Sequence, residues 1–347
     1  MNNWQETLLR GESPIADAVV RVDTYGIALV VDEAGLLLGT ITDSDIRRGQ
    51  LLHLAMSEPC SKIMNAHPRV SNHGQPPAHA RELMRRHTLF HIPIVDEAGC
   101  LTGMARIDEP WAARAEDQWI VLMAGGRGQR LRPLTVDTPK PMLKVGDKPL
   151  LESIIGNLCE QGFRRFYIAV NYKAEVVKDY FRDGADWGVE IRYLEETSEM
   201  GTAGALTLVP ESQQQRLVVM NGDLLTKVNL HHMLNYHAEH KSEATMGVRE
   251  YDFQVPFGVV NLEGHRIVGI DEKPVQRFMV NAGIYVVEPE LIAAIPRGQP
   301  SDMTTLFERA IADGQTTSVF PIREYWLDVG RLDDFERAQT DFRKVFS

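Results

Sequence analysis

From Ile120 onward the sequence alternates short apolar runs with helical segments, and this alternation constrains the fold more than any other feature of the chain. The apolar runs have the length of strands, and amphipathic stretches of helical length separate them. Such alternation favours an α/β fold with a mainly parallel sheet and helices on both faces. Ligands of such sheets bind beyond the carboxyl ends of the strands, so a site is expected in the segments that directly follow the apolar runs.

The first of these segments lies in Val121–Leu143 and reads VLMAGGRGQRLRPLTVDTPKPML. Its three glycines let the backbone come close to a ligand and adopt positive φ. Successive amide N–H groups of such a loop form a cradle for an anion. Lys140 lies between two prolines that stiffen the backbone around it. Together with the arginines at positions 127, 130 and 132, this lysine predicts a site for a polyphosphate.

The same stretch resembles the signature of the sugar-1-phosphate nucleotidyltransferases, L-x-A-G-G-x-G-x-R-L-x-P-L-T followed by P-K-P. The resemblance implies a Rossmann-like, GT-A-like α/β fold in which helices flank a mixed sheet. It also implies a reaction in which a sugar 1-phosphate and a nucleoside triphosphate give a nucleotide-sugar and pyrophosphate. Gln129 departs from the pattern, because the family usually has Thr there. Glutamine also donates to phosphate, so we expect an altered contact but retained activity.

Two aspartates match the metal ligands of that family. Asp223 follows the apolar run RLVVM, and Asp328 lies in the string WLDVG. Mg²⁺ prefers hard oxygen ligands, with one or two carboxylates and the phosphates of the substrate. The resemblance therefore implies a Mg²⁺ site whose two ligands only folding would bring together.

The resemblance also assigns the other site positions. Catalytic roles fall to Arg130, Lys140, Asp223 and Lys273. Contacts with the nucleotide are implied for Ala124, Gly125, Gly126, Gly128, Gln129, Arg130, Lys140, Gly201 and Thr202. Asn171 follows the apolar run FYIAV and is expected to line the same cleft and contact the nucleotide. Contacts with the sugar phosphate are implied for Gly222, Glu272, Lys273, Asn281 and Gly283. The attacking phosphate oxygen is already ionised near neutral pH, so catalysis consists of positioning and charge neutralisation.

An internal repeat distinguishes the N-terminal part of the chain. The string VDEAG occurs at Val31–Gly35 and again at Val95–Gly99, each time within the order helix, strand, turn, strand. Such a repeat predicts two copies of one small unit. This part resembles a tandem pair of CBS modules, a small α/β domain. We therefore expect a CBS domain over residues 1–115 and a nucleotidyltransferase domain over residues 116–347.

The first copy also matches the nucleotide-binding pattern of CBS modules. Gly39-x-x-Thr42-x-x-Asp45 lies at the start of a helix, and a hydroxyl, a carboxylate and a helix N-terminus suit a ribose and a phosphate. The second copy has Arg106 and Glu109 instead. We expect an adenine nucleotide, or a related one, at Thr42 and Asp45, and a homodimer or larger assembly. The alternative is a pair that serves only packing or dimerisation.

Charge and cysteine content narrow the function. The formal net charge of -11 argues against a broad surface for nucleic acid. Three widely spaced cysteines match neither a zinc site nor a disulfide framework, which favours a reducing cytoplasm. The first residues have no pattern of a secretion signal, and no apolar run approaches the roughly 20 residues that span a bilayer. We therefore expect a cytoplasmic protein without a membrane partner.

The order of the two domains resembles guanylyltransferases of bacterial nonulosonic-acid (legionaminic-type) pathways, which use glucosamine 1-phosphate. GTP and glucosamine 1-phosphate are therefore the expected substrates. A mannose-1-phosphate guanylyltransferase and a thymidylyl- or cytidylyltransferase are the alternatives within the same reaction class. An alternative of another class is a catalytically silent subunit that senses nucleotides. The intact set of Arg130, Lys140, Asp223 and Asp328 favours an enzyme.

Overall fold

A computed structural model describes residues 4–87, 89–106, 115–211 and 215–346 of the chain. Contacts between Cα atoms divide the chain into two compact units. The first unit comprises residues 1–114 and 234–240, and the second comprises residues 115–233 and 241–347. Glu109, named above in the second CBS copy, lies outside the described residues.

The first unit repeats one arrangement of a helix and three short strands. The strands are β1 Leu8–Leu9, β2 Ala28–Val31, β3 Leu37–Ile41, β4 Ser71–Asn72, β5 His91–Val95 and β6 Leu101–Arg106. The helices are α1 Ile15–Tyr25, α2 Asp43–Leu51 and α3 Pro77–His87. In each copy the first strand is parallel to the second, and the second is antiparallel to the third. The repeat predicted from the sequence is thus present in the fold.

The two VDEAG segments form equivalent turns that contact each other. Asp32 and Asp96 close them in the same way, because each carboxylate accepts backbone N–H groups from the residues two and four positions later. The backbone N–H of Leu37 donates to the carbonyl oxygen of Gly99 at 3.2 Å, which joins the first turn to the second. An isolated bridge between Leu36 and Cys100 lies beside this bond. The repeated string therefore specifies the join between the two copies.

Residues at the helix ends explain where the helices of the first copy begin and end. Helix α1 ends at Gly26, which has a φ of 81° in the left-handed region that favours glycine. Helix α2 begins after Thr42, its N-cap, which has an extended backbone. Ile15 and Val22 of α1 belong to the buried core of this copy. The amphipathic pattern of α1 thus buries its apolar face within the first copy.

A seven-stranded sheet forms the centre of the second unit and confirms the α/β class. Its strands are β7 Trp119–Met123, β10 Arg165–Val170, β11 Glu190–Glu195, β12 Leu217–Asn221, β14 Ala244–Gln254, β17 Val275–Val287 and β18 Thr317–Pro321. They lie in the order β11-β10-β7-β12-β17-β14-β18. Only β17 runs against the others, so the sheet is mixed. The parallel strands β10, β7 and β12 therefore end at the same edge.

The remaining strands of the second unit form two-stranded pairs. These pairs are β8 Lys144–Val145 with β9 Lys148–Pro149, β13 Leu224–Thr226 with β19 Trp326–Asp328, and β15 Val259–Glu263 with β16 Arg266–Asp271. The further helices are α4 Leu150–Glu160, α5 Ala174–Phe181, α6 Gly201–Gly204, α7 Leu230–Glu239, α8 Pro289–Ala293, α9 Met303–Ala312 and α10 Leu332–Val345. No helix within the described residues is long and apolar enough to cross a membrane.

Both faces of the central strands are buried. Val121 and Val219 point into a core that also holds Leu291 of α8 and Leu306 of α9. Ile120 lies next to Val121 along β7 and therefore faces the opposite side, yet it is also fully buried. Strands buried on both faces explain the uninterrupted apolar runs of the sequence. This packing fixes the strand ends, where the polar motifs begin.

Candidate active site

The predicted motifs follow neighbouring strands at one edge of the sheet. Asn221 lies opposite Met123 in the register of β12 and β7. The backbone N–H of Gly222 donates to the carbonyl oxygen of Met123 at 2.9 Å, and that of Ala124 donates to the carbonyl oxygen of Ala169 at 2.9 Å. These bonds hold the chain just beyond the strand ends in place. The segments that follow β7 and β12 are therefore adjacent.

Glycine stands at three positions of the loop after β7, and its structural reason differs from one position to the next. A Cβ atom on Gly125 would lie 2.8 Å from Oε1 of Glu196 and 3.2 Å from Cβ of Asn171, so these neighbours would have to shift to admit a side chain. Gly128 has a φ of 59°, and its Cβ atom would lie 2.8 Å from a methyl group of Thr135. At Gly126 the position of a Cβ atom has no neighbour within 4 Å among the described residues. The fold therefore leaves open space at Gly126, as a loop that approaches a phosphate requires.

Lys140 is nearly buried and lies between two carboxylates. It begins a short 3-10 helix, Lys140–Met142, after an extended Pro139. Its Nζ donates a hydrogen bond to Oδ2 of Asp223 and lies 4.0 Å from Oδ1 of Asp328. The side chain is only 11% exposed. The two prolines thus direct the ammonium group into the fold and towards both predicted metal ligands.

A small two-stranded sheet brings Asp223 and Asp328 together. Leu224 in β13 is paired with Asp328 in β19. The backbone N–H of Val329 donates to the carbonyl oxygen of Asp223 at 3.0 Å, which extends the pairing to the aspartate itself. Antiparallel partners lie about 4.5–5.5 Å apart. Pairing between strands that are distant in sequence therefore creates the carboxylate pair.

The two aspartates each have an oxygen atom that the fold does not use. Oδ1 of Asp223 and Oδ1 of Asp328 are buried and have no hydrogen-bond partner among the described residues. Burial raises the pKa of the Asp328 carboxyl above its ordinary value, and the charge of Asp223 raises it further, while Lys140 and Arg130 lower it. Two neighbouring carboxylates repel each other, and a bound cation would relieve this repulsion and use their oxygens as ligands. Within the described ranges, no group of three or more His, Cys, Asp or Glu side chains forms another candidate metal site.

The arginines of the loop differ in their surroundings. Arg130 is exposed, and its Nη2 would lie 3.7 Å from a Cβ atom on Gly330, so its guanidinium group lies beside the WLDVG segment. Arg127 instead forms an ion pair with Glu199 at 2.7 Å. Gln129, the departure from the family pattern, is exposed and begins a 3-10 helix. Of these side chains, Arg130 therefore has the placement that fits the Lys140 and aspartate cluster.

Two of the predicted nucleotide contacts also have roles within the fold. The side-chain amide of Asn171 donates to the carbonyl oxygens of Glu196 and Ser198, at 3.1 and 3.0 Å. The hydroxyl of Thr202 donates to Asp302 at 3.2 Å and accepts the backbone N–H of Met303. These bonds fix the loops after β11 and before α9. Side-chain contacts of Asn171 and Thr202 with a nucleotide remain predictions.

Gly201 and Gly222 both lie where a side chain would collide with backbone. A Cβ atom on Gly201, which has a φ of 73°, would lie 2.6 Å from the carbonyl oxygen of Ser301. A Cβ atom on Gly222 would lie 2.7 Å from the carbonyl oxygen of Met123. Glycine is therefore required by the fold at both positions, whether or not a ligand binds there.

The predicted sugar-phosphate residues fall into two groups. Glu272 and Lys273 lie in the turn between β16 and β17, with exposed side chains, and Lys273 has a φ of 47°. Among the described residues, no ion pair joins Lys273 to the carboxylate pair. Asn281 and Gly283 lie inside β17, not after a strand, and the Asn281 amide donates to the Tyr285 hydroxyl at 2.8 Å. The register of β14 and β17 shifts near this point.

Asn221 is a further polar residue of the site that the sequence did not single out. Its Oδ1 is buried without a partner among the described residues, as are the aspartate oxygens. A Cβ atom on Gly283 would lie 2.5 Å from its Nδ2, so glycine at 283 makes room for this amide. The position of Asn221 directly before Gly222-Asp223, at the end of a buried strand, was the available signal.

The residues of the first unit that were expected to bind an adenine nucleotide, Thr42 and Asp45, bond to each other. Oδ2 of Asp45 accepts the backbone N–H of Thr42 at 2.9 Å and its hydroxyl at 3.0 Å. Arg48 pairs with the other oxygen of Asp45 at 2.8 Å. The Thr42 and Asp45 pair is thus a capping box that begins α2. A role in binding a nucleotide remains a prediction for both residues.

Comparison with known proteins agrees with this arrangement. Residues 120–345 match the family model described as nucleotidyl transferase. The chain belongs to the nucleotidyl transferase family. Residues 7–51 and 60–109 each match the CBS domain, which confirms the duplicated unit that the repeat predicted and its resemblance to a tandem CBS pair.

Relatives of this nucleotidyl transferase differ in their substrates. The chain is 31% identical over 229 residues to mannose-1-phosphate guanylyltransferase of Mycobacterium tuberculosis, a match that covers 64% of this chain and 63% of that protein. It is 31% identical over 238 residues to UTP–glucose-1-phosphate uridylyltransferase of Synechocystis, which covers 63% of this chain and 61% of that protein. The chain thus spans less than two thirds of the length of these relatives.

Solved structures share the fold of the second unit. HddC from Yersinia pseudotuberculosis, complexed with GMP-PN, superposes with a TM-score of 0.52 and 22% identity. The match covers 65% of this chain and 99% of that one. At this level of identity the likeness shows the fold.

Proposed function

We propose that the chain joins a sugar 1-phosphate to a nucleoside triphosphate, releasing pyrophosphate. A phosphate oxygen of the sugar 1-phosphate attacks the α-phosphorus, a new P–O bond forms, and the bond to the β-phosphate breaks with its electron pair leaving on pyrophosphate. The carrying observation is the cluster of Lys140, Asp223 and Asp328 at the strand ends beside the glycine loop. Family membership supports the same reaction class.

The carboxylate pair fits a divalent cation, and the proposal assigns Mg²⁺ to it. Asp223 and Asp328 would hold the ion through the oxygens that have no partner within the described chain. A bound Mg²⁺ supplies positive charge that phosphate oxygens require during the transfer. The residues themselves fix where that charge lies, because pairing of β13 with β19 holds both carboxylates before any ligand binds.

The glycine loop and two cations would neutralise the triphosphate. Gly126 leaves space for a phosphate, and successive amides of the loop donate to it. Lys140 and Arg130 would stabilise the charge that develops on the leaving pyrophosphate. Lys140 is held by Asp223 and is only 11% exposed, so it stays oriented and little solvent screens it.

The sugar phosphate would bind at Lys273 and Glu272, with Asn281 and Gly283 in the adjoining strand. This part of the proposal rests on the resemblance of the E-K-P string. The exposed turn that carries Glu272 and Lys273 supports it only by leaving both side chains accessible. Lys273→Ala should therefore raise the KM for the sugar 1-phosphate more than it raises the KM for the triphosphate.

GTP and glucosamine 1-phosphate are the proposed substrates, on the basis of the domain order. The guanylyltransferase relatives support GTP and favour mannose 1-phosphate as the second candidate acceptor. The decisive experiment measures pyrophosphate release with four triphosphates against glucosamine, mannose and glucose 1-phosphates. A tenfold preference for another triphosphate, about 1.4 kcal/mol in transition-state binding, would contradict the choice of GTP. No release with any pair would favour the silent, nucleotide-sensing subunit.

The first unit is proposed to bind an adenine nucleotide and to regulate the transfer. The CBS matches support this, together with the helix N-terminus behind Thr42. Isothermal titration of the full chain with ATP, ADP and AMP tests it, with Asp45→Ala for comparison. Coupling between two sites is typically about 1–3 kcal/mol, so a change of about 5- to 150-fold in substrate affinity is the expected range. The same proposal includes a cytoplasmic location and a homo-oligomer, and three free cysteines are compatible with that location.

A further inference from the structure

The carboxylate of Asp302 lies against two residues that are expected to bind the nucleotide, Gly201 and Thr202. Its Oδ1 accepts the backbone N–H of Thr202 at 3.0 Å and the Thr202 hydroxyl at 3.2 Å. The same oxygen would lie 2.7 Å from a Cβ atom on Gly201. One carboxylate oxygen therefore packs against both residues.

Asp302 does not use this carboxylate to cap its own helix. It is the N-cap of α9, yet within the described residues its side chain forms no hydrogen bond with the backbone of that helix. An N-cap aspartate usually accepts a backbone N–H from the second or third residue of its helix. Here the backbone N–H of Met303, the first residue of α9, donates to the hydroxyl of Thr202 at 2.9 Å. Thr202 thus caps α9, and Asp302 bonds to Thr202 instead.

The stability of α9 alone does not explain this arrangement. A side-chain cap by Asp302 would contribute about 1 kcal/mol to the helix without a partner elsewhere in the chain. The carboxylate bonds instead to a residue 100 positions earlier in the sequence. Its direction is explained by the need to hold Thr202.

The backbone next to Asp302 holds the same part of the chain. The N–H of Ser301 donates to the carbonyl oxygen of Met200 at 2.9 Å. The carbonyl oxygen of Ser301 accepts the N–H groups of Ala203 and Gly204, at 2.8 and 3.0 Å. These bonds lie on both sides of the residues that Asp302 contacts, so the carboxylate completes a set of contacts that fixes this backbone.

These contacts determine which donor stays available to a ligand. A hydroxyl has one proton, and Thr202 gives both that proton and its backbone N–H to Asp302. Of the backbone N–H groups at residues 200–204, only that of Gly201 has no hydrogen-bond acceptor within the described residues. The Gly201 N–H is therefore the donor that a nucleotide can use here, and Asp302 packs against the residue that carries it.

We propose that Asp302 is a positioning residue for the nucleoside triphosphate, which holds the backbone of Gly201 and Thr202 in the conformation that binds the nucleotide. The inference rests on the proposed function. No hydrogen bond or ion pair within the described residues joins Asp302 to the cluster of Lys140, Asp223 and Asp328. Loss of the Asp302 contact therefore weakens binding of the triphosphate and leaves the rate at saturation unchanged.

Two substitutions at position 302 separate positioning from helix capping. Asparagine, aspartate and serine are similar as N-cap residues, so Asp302→Asn and Asp302→Ser both preserve the start of α9. Asparagine keeps an oxygen acceptor at the reach of Oδ1, whereas the serine hydroxyl is one bond shorter. Only asparagine can therefore still bond to Thr202.

Pyrophosphate release by the full chain is measured while one substrate is varied and the other is saturating. Asp302→Ser should raise the KM for the triphosphate about tenfold, equivalent to about 1.4 kcal/mol. The KM for the sugar 1-phosphate and kcat should stay within about twofold, and Asp302→Asn should stay within about threefold in all three values. Asp313→Ala removes an exposed carboxylate from the other end of α9 and is the matched control, with all three values unchanged.

Titration calorimetry measures the same effect without turnover. Each of four nucleoside triphosphates is titrated into the full chain in the absence of a sugar 1-phosphate. The Kd of the tightest one should rise about tenfold in Asp302→Ser and change little in Asp302→Asn. If the unsubstituted chain binds a triphosphate but releases no pyrophosphate, the proposed function fails while the titration still tests Asp302. If it binds none of the four, both proposals fail.

Other results would overturn the positioning role alone. Equal increases in both KM values, or loss of the cooperative thermal transition in Asp302→Ser, would make Asp302 a residue of general structural importance. A lower kcat with an unchanged KM for the triphosphate would place it in the chemical step. Normal values for Asp302→Ser would show that the bond to Thr202 is not needed. A defect in Asp302→Asn as large as that in Asp302→Ser would show that charge matters and not the held acceptor.

Discussion

Replacing Asp223 with Asn tests the proposed site at the residue that contacts Lys140 and is proposed to bind the cation. The substitution keeps the size of the side chain and one oxygen but removes a negative charge. Asp223 contacts Lys140, and its other oxygen has no partner within the described residues. If that oxygen serves a cation, the substitution should affect catalysis much more than folding.

The expected magnitudes follow from the surrounding charges. Lys140 would still have Asp328 at 4.0 Å, a distance at which two unit charges interact by about 4 kcal/mol in a medium of dielectric constant about 20. Repulsion between the two aspartates would disappear at the same time. These effects oppose each other, so the free energy of unfolding should change by less than about 1 kcal/mol. Loss of one preorganised charged group should lower kcat/KM by at least about 100-fold, or about 2.7 kcal/mol.

The assay measures pyrophosphate release over a series of Mg²⁺ concentrations, alongside urea denaturation. Asp223→Asn should lower the rate and raise the Mg²⁺ concentration that gives half of the maximum. Asp137→Asn is the matched control, because its side chain is 98% exposed, and it should behave as the unsubstituted chain does. A rate within threefold of normal for Asp223→Asn would refute the assignment. So would a large loss of stability with an unchanged Mg²⁺ dependence, which would make Asp223 a structural residue.

Four further perturbations have expected outcomes. Lys140→Ala should lose most pyrophosphate release, by at least about 100-fold, yet still show a cooperative thermal transition; normal turnover would exclude the assigned role. Gly126→Ala should keep the melting temperature and raise the KM for the triphosphate about tenfold, whereas Gly128→Ala should lower the melting temperature, because only the second methyl group meets the fold. Asp45→Ala should abolish the heat of binding of adenine nucleotides to the full chain. An unchanged titration would show that Asp45 takes no part in nucleotide binding. Burial lowers the pKa of His91 from 6.5 to about 4, so between these pH values the unfolded chain takes up a proton that the folded chain does not. The free energy of unfolding should therefore fall by up to about 3 kcal/mol as the pH falls from about 6.5 to 4. His91→Gln should reduce that fall when urea denaturation is compared at pH 7 and pH 5.

Much of the fold was predictable because its signals are local. The uninterrupted apolar runs of β7, β10 and β12 reflect burial on both faces, and each run ends where a polar motif begins. The repeated VDEAG string predicted a duplicated unit because the same turn chemistry, an aspartate that accepts two backbone N–H groups, recurs in both copies. The glycine loop was predictable since positive φ and close approach leave few alternatives to glycine.

Features that depend on long-range pairing were not predictable from local pattern. Nothing near Asp223 indicates that β13 pairs with β19, and Asp328 entered the site only through family resemblance. The site was expected in segments that follow the apolar runs, but Asn281 and Gly283 lie inside β17, which continues through them to Val287. The grouping of residues 234–240 with the first unit also has no signal in the sequence, because the order of elements does not show which unit a helix joins.

Partner atoms in the fold separate two kinds of motif residue. Thr42 and Asp45 satisfy each other, and the amide of Asn171 holds a loop, so these side chains have a structural role even without a ligand. The unpartnered oxygens of Asp223 and Asp328 have no such explanation, because a buried polar atom without a partner costs about 1–3 kcal/mol. The position of these atoms at the ends of parallel strands, beside an open glycine and an oriented ammonium group, supports the proposed site for a triphosphate and its cation. The strongest support for the proposed chemistry is therefore the pair of buried carboxylate oxygens, Oδ1 of Asp223 and Oδ1 of Asp328, that no hydrogen bond within the described residues uses.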